Sequence, residues 1–319
     1  MQINFNTKIP FKPKRLLIDK LMNPIWSATA YGNQKWIRRY AFYPRFLPLC
    51  IATDHAPGIP AEVSKTYFTD APFTLIHSEI YCNYLREISQ NKFIPFKSPF
   101  VFYTKNKKVK LQNDRNGSIY FYAHGNNEVL PTKRIDDIIS DISNLPKRYF
   151  PITICLHYQD LINKVHLDFI SKGFKVICMG NPNDWNFIEN YYNNLSTYKY
   201  AFSSNFSSYS LYCTNFGIPF GLLGEESLFN NLNDNTISKG LYKGYLDNSD
   251  YSTTFHSLFN KLPTEVVNNE QLAFVNEYLG VESGLSRLQL SIYLYRALII
   301  SIFKLKFWNK YFKYLLNNL

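Results

Sequence analysis

Cysteine is scarce in this chain. The five cysteines among 319 residues, Cys50, Cys82, Cys155, Cys178 and Cys213, stand apart with no C-x-x-C pair. Neither a zinc cluster nor a disulfide framework can be read from them. Four lie in apolar stretches and read as buried thiols of a cytosolic protein. Glycine (13) and proline (16) are too few for a fibrous or low-complexity chain. Charged residues make up only 18%, which excludes a coiled coil or a charged linker. Long apolar runs are missing too. The best stretch, 288–303, is interrupted by Gln289, Ser291 and Arg296, so no transmembrane span is expected. The first twenty residues lack the apolar core of a secretory signal, and a cytoplasmic location is the expectation. No Walker loop and no G-x-G-x-x-G follows any strand, which argues against a simple nucleoside triphosphatase or dinucleotide enzyme. What is present is bulk: 46% hydrophobic and 17% aromatic residues, enough to bury one large core or two small ones.

Charge is distributed unevenly. Residues 1–48 carry nine Lys/Arg against Asp19 alone, and residues 287–319 carry six Lys/Arg and no acid. The body between them has 20 basic and 23 acidic residues and is nearly neutral. A nucleic-acid binder would be basic through the body as well, so no nucleic-acid partner is expected. In the tail, Lys306, Lys310 and Lys313 fall on one helical face, and Leu305, Trp308, Phe312 and Leu315 on another. This basic amphipathic pattern fits an interfacial helix on an anionic membrane. Packing of the same helix on the protein's own core, lysines outward, is the alternative.

Residues 1–48 are aromatic, basic and hard to parse. Leu47–Ala52 reads as a strand running into a loop with Asp54, His55 and Gly58. Residues 72–90 look helical toward their end, 98–106 reads as a strand, and 105–117 as a basic linker. From 118 the pattern is regular: strands at 118–125, 151–158, 174–180, 198–205 and 218–224 alternate with helices at 130–146, 160–172, 183–195 and 206–217. Such alternation predicts a parallel, doubly wound sheet. The stretch 225–285 reads largely as loops and takes no role.

Ligands of such sheets sit at the carboxyl ends of the strands. Those ends carry His124 and Gly125, His157, Gly180 and Asn181, and then Ser203, Ser204, Asn205, Ser207 and Ser208. Hydroxyls and free N–H groups where a strand turns into a helix suit a phosphate. Ordinary helix capping would need only one of them.

The order of strand, serine-rich turn (Ser203, Ser204, Ser207, Ser208, Tyr209), short helix and Gly217-Ile218-Pro219 resembles the donor-diphosphate region of GT-B-type glycosyltransferases. The resemblance covers residues 118–224. It implies an α/β, GT-B-like fold: two Rossmann-like domains facing a cleft, the N-terminal one small and irregular. The expected parts are an acceptor-side domain (1–112), a nucleotide-sugar-binding domain (113–285) and a basic C-terminal helix (286–319) that crosses back to the first. It implies a nucleotide-sugar donor, with Gly180 and Asn181 at the nucleobase, and a membrane-linked or cell-surface glycan as acceptor. No Glu pair of the retaining type stands at 203–210, so inversion is expected. A sugar-nucleotide epimerase of the same architecture and a non-enzymatic polyanion-binding module are the alternatives.

Inversion requires a general base for the acceptor hydroxyl. Asp54 and His55 are the first candidates, alone or with the carboxylate orienting the imidazole; a turn cap is the plainer reading. His77 and Glu79 come second. His124 and His157 suit the donor phosphates, where imidazole groups stabilise the leaving nucleotide. Asp136-Asp137 lies within a predicted helix and cannot act as a metal-binding Asp-x-Asp, so neither metal nor cofactor is expected. The enzyme is expected to sit peripherally on the inner face of the cell membrane.

Overall fold

The computed structural model describes residues 25–54, 56–57, 71–125, 128–232, 240–242, 250–282, 284–304, 309 and 312. The chain divides into two α/β units. Among the described residues, unit 1 spans 108–181 and 189–275, and unit 2 spans 25–107, 182–188 and 276–304 with 309 and 312.

Unit 1 is built on a five-stranded, all-parallel sheet. Its strands are β4 (Ser118–Phe121), β6 (Ile152–Leu156), β7 (Lys175–Cys178), β8 (Tyr200–Ser203) and β9 (Phe220–Leu222), in the order β7-β6-β4-β8-β9. The crossovers contain α5 (Ile135–Ser143), α6 (Tyr158–Ile162) with α7 (Val165–Ser171), α8 (Phe187–Leu195) and α9 (Ser208–Asn215). All five strands and the helices between them fall where the alternating pattern predicts them, except that residues 130 and 131 of the helix expected at 130–146 belong to a strand and the helix expected at 160–172 is two short helices, the first starting at 158. The strands are apolar throughout because both faces are covered: β6 is buried at each of its five positions. Ile138 and Ile142 of α5 pack with Tyr120, Ile154 and Phe202 from three strands. Gly217 closes α9 at φ 88°, and the next N–H, of Ile218, donates to Cys213 O at 2.9 Å.

A second, antiparallel sheet joins β5 (Val129–Pro131), β10 (Phe229–Asn231) and β11 (Gly240–Tyr242). Within 225–285, read as loops, there are thus two strands and two helices, α10 (Asp250–Phe259) and α11 (Asn269–Tyr278). Tyr251, Phe255, Phe259 and Phe274 form an aromatic cluster between those helices. Phe255 and Phe259 sit one helical turn apart, a signal that the polar residues around them obscure.

Unit 2 has a three-stranded parallel sheet, β1 (Ala52–Thr53), β2 (Thr74–Ile76) and β3 (Phe93–Pro95). Around it stand α1 (Trp26–Thr29), α2 (Asn33–Ala41), α3 (Glu79–Ile88), α4 (Pro99–Lys107) and α12 (Arg287–Phe303). The strand expected at 98–106 is instead α4. Pro99 occupies the first helical position, where its missing N–H costs nothing. Residues 99–103 are buried on every side of the helix, so the run has no polar face and reads like a buried strand. Leu290, Leu294 and Ala297 of α12 share a core with Ile37, Ile51, Leu75 and Ile94. Beyond residue 304 the tail lies outside the described residues except Asn309 and Phe312. The five cysteines are free thiols, and all but Cys178 are buried.

Candidate functional site

In unit 1 the chain starts in the middle of the sheet at β4, winds out through β6 and β7, then returns to place β8 and β9 on the other side. The switch point therefore lies between β4 and β8, where ligands of such sheets bind. His124 and Gly125 follow β4, and Ser203 to Ser208 end β8, so the predicted donor residues flank that point. His157 follows β6, the other neighbour of β4.

His124 and His157 stack, ring centroids 4.3 Å apart and planes 24° from parallel. His157 also begins α6. Its Nδ1 accepts the Gln159 N–H at 3.3 Å, while its own N–H donates to Asp160 Oδ2 at 3.0 Å. With Nδ1 an acceptor, the neutral ring carries its proton on Nε2. That Nε2 is buried and has no hydrogen-bond partner. Burial, reinforced by the His124 ring, pushes the His157 pKa down to about 3, so the ring is neutral at physiological pH. Burial pushes the Asp160 carboxyl up to about 7, against the His157 N–H that favours its charged form. Asp160 was missed from sequence, although its place three residues after His157 is the spacing of a capping box.

Gly125 packs against β5, and a Cβ there would collide with the Val129 carbonyl oxygen and the Pro131 ring. Gly180 takes φ 120°, open to glycine alone, and Asn181 behind it is buried. At the end of β8 the serines divide into two groups. Ser203 Oγ reaches Phe121 O at 2.8 Å and accepts the Asn205 N–H at 3.2 Å. Ser204 Oγ donates to Asn205 Oδ1 at 2.8 Å, and Asn205 Nδ2 donates to Ser227 O at 2.8 Å. These three side chains are buried and tie the turn together. Ser207 and Ser208 are half-buried at the start of α9, and Ser207 makes no capping bond with its side chain.

In unit 2, Asp54 stands at the carboxyl end of β1, fully buried. Its Oδ2 accepts the His77 N–H at 2.9 Å and lies 3.9 Å from His77 Nδ1. The two come together because β1 and β2 run parallel in register, Thr53 opposite Leu75. His55 lies outside the described residues. Glu79 is exposed in the first turn of α3. Asn33 Nδ2 donates to Asp54 O at 3.3 Å. Nearby in the same unit, Asn33 Oδ1, Gln34 Oε1 and Thr53 Oγ1 are buried without hydrogen-bond partners. Sequence reading passed over Asn33 and Gln34 because they sit among tryptophans and arginines in the stretch 26–39. Among the described residues no three His, Cys, Asp or Glu side chains gather as a metal-binding group.

No family model and no curated protein matches the chain. Among solved structures it is similar to a UDP-GlcNAc 2-epimerase from Neisseria meningitidis bound to UDP-GlcNAc, at 13% identity and a TM-score of 0.37. The similarity covers 72% of this chain and 62% of that one, so this chain matches less than two thirds of that enzyme. A likeness this slight bears on neither substrate nor reaction.

Proposed function

We propose that the protein is a glycosyltransferase of GT-B-like fold that moves a sugar from a nucleotide-sugar donor to a glycan acceptor with inversion. The observation that carries the reading is the buried Nε2–H of His157, without an acceptor, beside the switch point of a parallel sheet. An unsatisfied buried donor costs about 1–3 kcal/mol. A bound phosphate oxygen removes that cost and gains a charge-assisted bond.

In this reading the donor diphosphate lies at the ends of β4, β6 and β8. His157 and His124 meet its oxygens and stabilise the leaving nucleotide. Ser207, Ser208 and the start of α9 add hydroxyl and N–H donors. Ser203, Ser204 and Asn205 hold the turn that presents them. Gly125 and Gly180 keep the loop backbones close, and Asn181 faces the base. Asp54 and His77 supply acid/base chemistry, the carboxylate orienting the imidazole as it gains a proton from the acceptor hydroxyl. The roles need no metal or organic cofactor.

The test is a thermal-shift panel with UDP, GDP, TDP, CDP and CMP. A nucleotide at 100 times its Kd stabilises the protein by about 2.7 kcal/mol. One nucleotide is expected to give that shift with the native protein and none with His157→Asn, which retains an acceptor for the Gln159 N–H but loses the Nε2–H. Flat curves with all five nucleotides would overturn the reading.

A further inference from the structure

Helix α12 is apolar on two opposite faces. Leu290, Leu294, Ala297 and Ser301 point into the core of unit 2. Leu288, Ile292, Tyr295, Ile299 and Phe303 are exposed at 71%, 48%, 39%, 54% and 81%. At 3.6 residues per turn these five fall in one stripe about 80° wide, opposite the buried face. The patch continues beyond the helix. The Arg287 guanidinium sits 5.1 Å over the ring of Phe42, itself 74% exposed, and Tyr295 lies against Tyr43. Scattered exposed hydrophobes need no explanation, but a contiguous row of large ones marks an interaction surface.

Charge identifies the occupant. Arg287 borders the stripe on one side and Arg296 on the other, and residues 287–319 contain no acid. Beside the stripe is a cavity of about 440 Å³, lined by Arg86, Lys92, Arg296, Phe73, Phe93 and Tyr293 among others, with no carboxylate in its wall among the described residues. The Arg296 guanidinium lies 5.8 Å over Phe73 and 5.9 Å over Tyr293, so its stem is held against aromatic surface at the cavity's edge. An apolar row flanked by cations, next to a cationic pocket of headgroup size, matches acyl chains below and anionic phosphates above. No helix among the described residues is long and apolar enough to cross a membrane.

We infer that α12 lays unit 2 on an anionic lipid bilayer, its Leu288–Phe303 stripe entering the acyl boundary and the Arg86–Lys92–Arg296 pocket taking a lipid phosphate. The inference rests on this surface and not on the transferase reading.

The experiment is flotation of the full chain with phosphatidylcholine vesicles, with and without 30% phosphatidylglycerol by design. The native protein is expected to float with the anionic vesicles and to stay behind with the neutral ones. Ile292→Asn with Ile299→Asn retains every lysine of the tail, yet is expected to bind on the order of 100-fold more weakly, since two isoleucines no longer leave water. Arg86→Ala with Arg296→Ala is expected to weaken binding roughly tenfold at low salt. Both isoleucines are exposed, so circular dichroism and any nucleotide-induced thermal shift should not change. Failure of the native protein to float, equal flotation with neutral vesicles, or native-like flotation of the isoleucine variant would each overturn the inference. So would a native dimer in sedimentation that the isoleucine variant dissolves, because the stripe would then join two copies of this chain.

Discussion

The main-chain N–H of His77 donates to Asp54 Oδ2 at 2.9 Å, across the ends of two parallel strands. The same oxygen lies 3.9 Å from the imidazole Nδ1, so one carboxylate serves a backbone and a side chain together. This geometry separates holding from chemistry. Asp54→Asn leaves an amide oxygen to accept the His77 N–H but removes the charge that would stabilise an imidazolium. The expected outcome is a melting temperature within a few degrees of native, unchanged nucleotide binding, and sugar transfer reduced at least about 100-fold, the usual weight of a positioned acid/base group. His77→Gln should match it. Retained turnover in either variant, measured by nucleotide release with a glycan acceptor, would remove the pair from the reaction.

His157 and Asp160 titrate in opposite senses, which makes their burial measurable. The Asp160 carboxyl, raised to about 7 from 3.8, holds its proton more tightly in the folded protein. Its contribution to stability is full below about pH 4 and is lost as pH rises to 7. The His157 ring, lowered to about 3 from 6.5, resists protonation in the folded protein. Its contribution is present above pH 6.5 and is lost as pH falls toward 3. Between pH 4 and 6.5 the two slopes oppose each other, each limited to about 1.4 kcal/mol per pH unit. Asp160→Asn should therefore melt at progressively higher temperature from pH 4 to 6.5. His157→Asn should melt at progressively lower temperature from pH 4 to 7. Parallel profiles for the two variants, read by calorimetry, would contradict the burial of both groups.

Sequence carried much of unit 1 and less of unit 2, for a physical reason. Strands of a parallel sheet are buried on both faces, so 118–121, 152–156 and 200–203 stand out as apolar blocks between amphipathic helices. Their ends, and so His124, His157 and the serine turn, could be named. In unit 2 the strands have two or three residues, too short for any period to show. The first five residues of α4 are buried all round and α12 is apolar on two faces, so neither presents the single stripe that marks a helix. Pairings across the sheet were beyond reach as well. Asp54 was set beside its neighbour in sequence, His55, whereas strand register brings it to His77, 23 residues on. Hydroxyl counting also had a limit: five polar residues at one turn look alike until their hydrogen bonds are known.

Those bonds divide the serines of the turn into two kinds. Ser203 Oγ links β8 to Phe121 of β4 and lies 2.8 Å from the Tyr209 hydroxyl, whose ring stacks on Phe121 at 4.7 Å. Ser203→Ala strips a buried amide and a phenol of a partner and is expected to lower stability by about 1–3 kcal/mol. Ser208→Ala removes a half-buried hydroxyl from the first turn of α9 and is expected to leave stability within about 0.5 kcal/mol. Affinity should divide the other way. A hydroxyl bond to a charged phosphate is worth about 1.5–3 kcal/mol, so Ser208→Ala should weaken nucleotide binding by roughly 10- to 100-fold. Ser203→Ala, once corrected for its folded fraction, should bind within a few-fold of native. Titration calorimetry alongside thermal melts reads both quantities. Unchanged affinity in Ser208→Ala would move the phosphate away from α9, toward the two imidazoles.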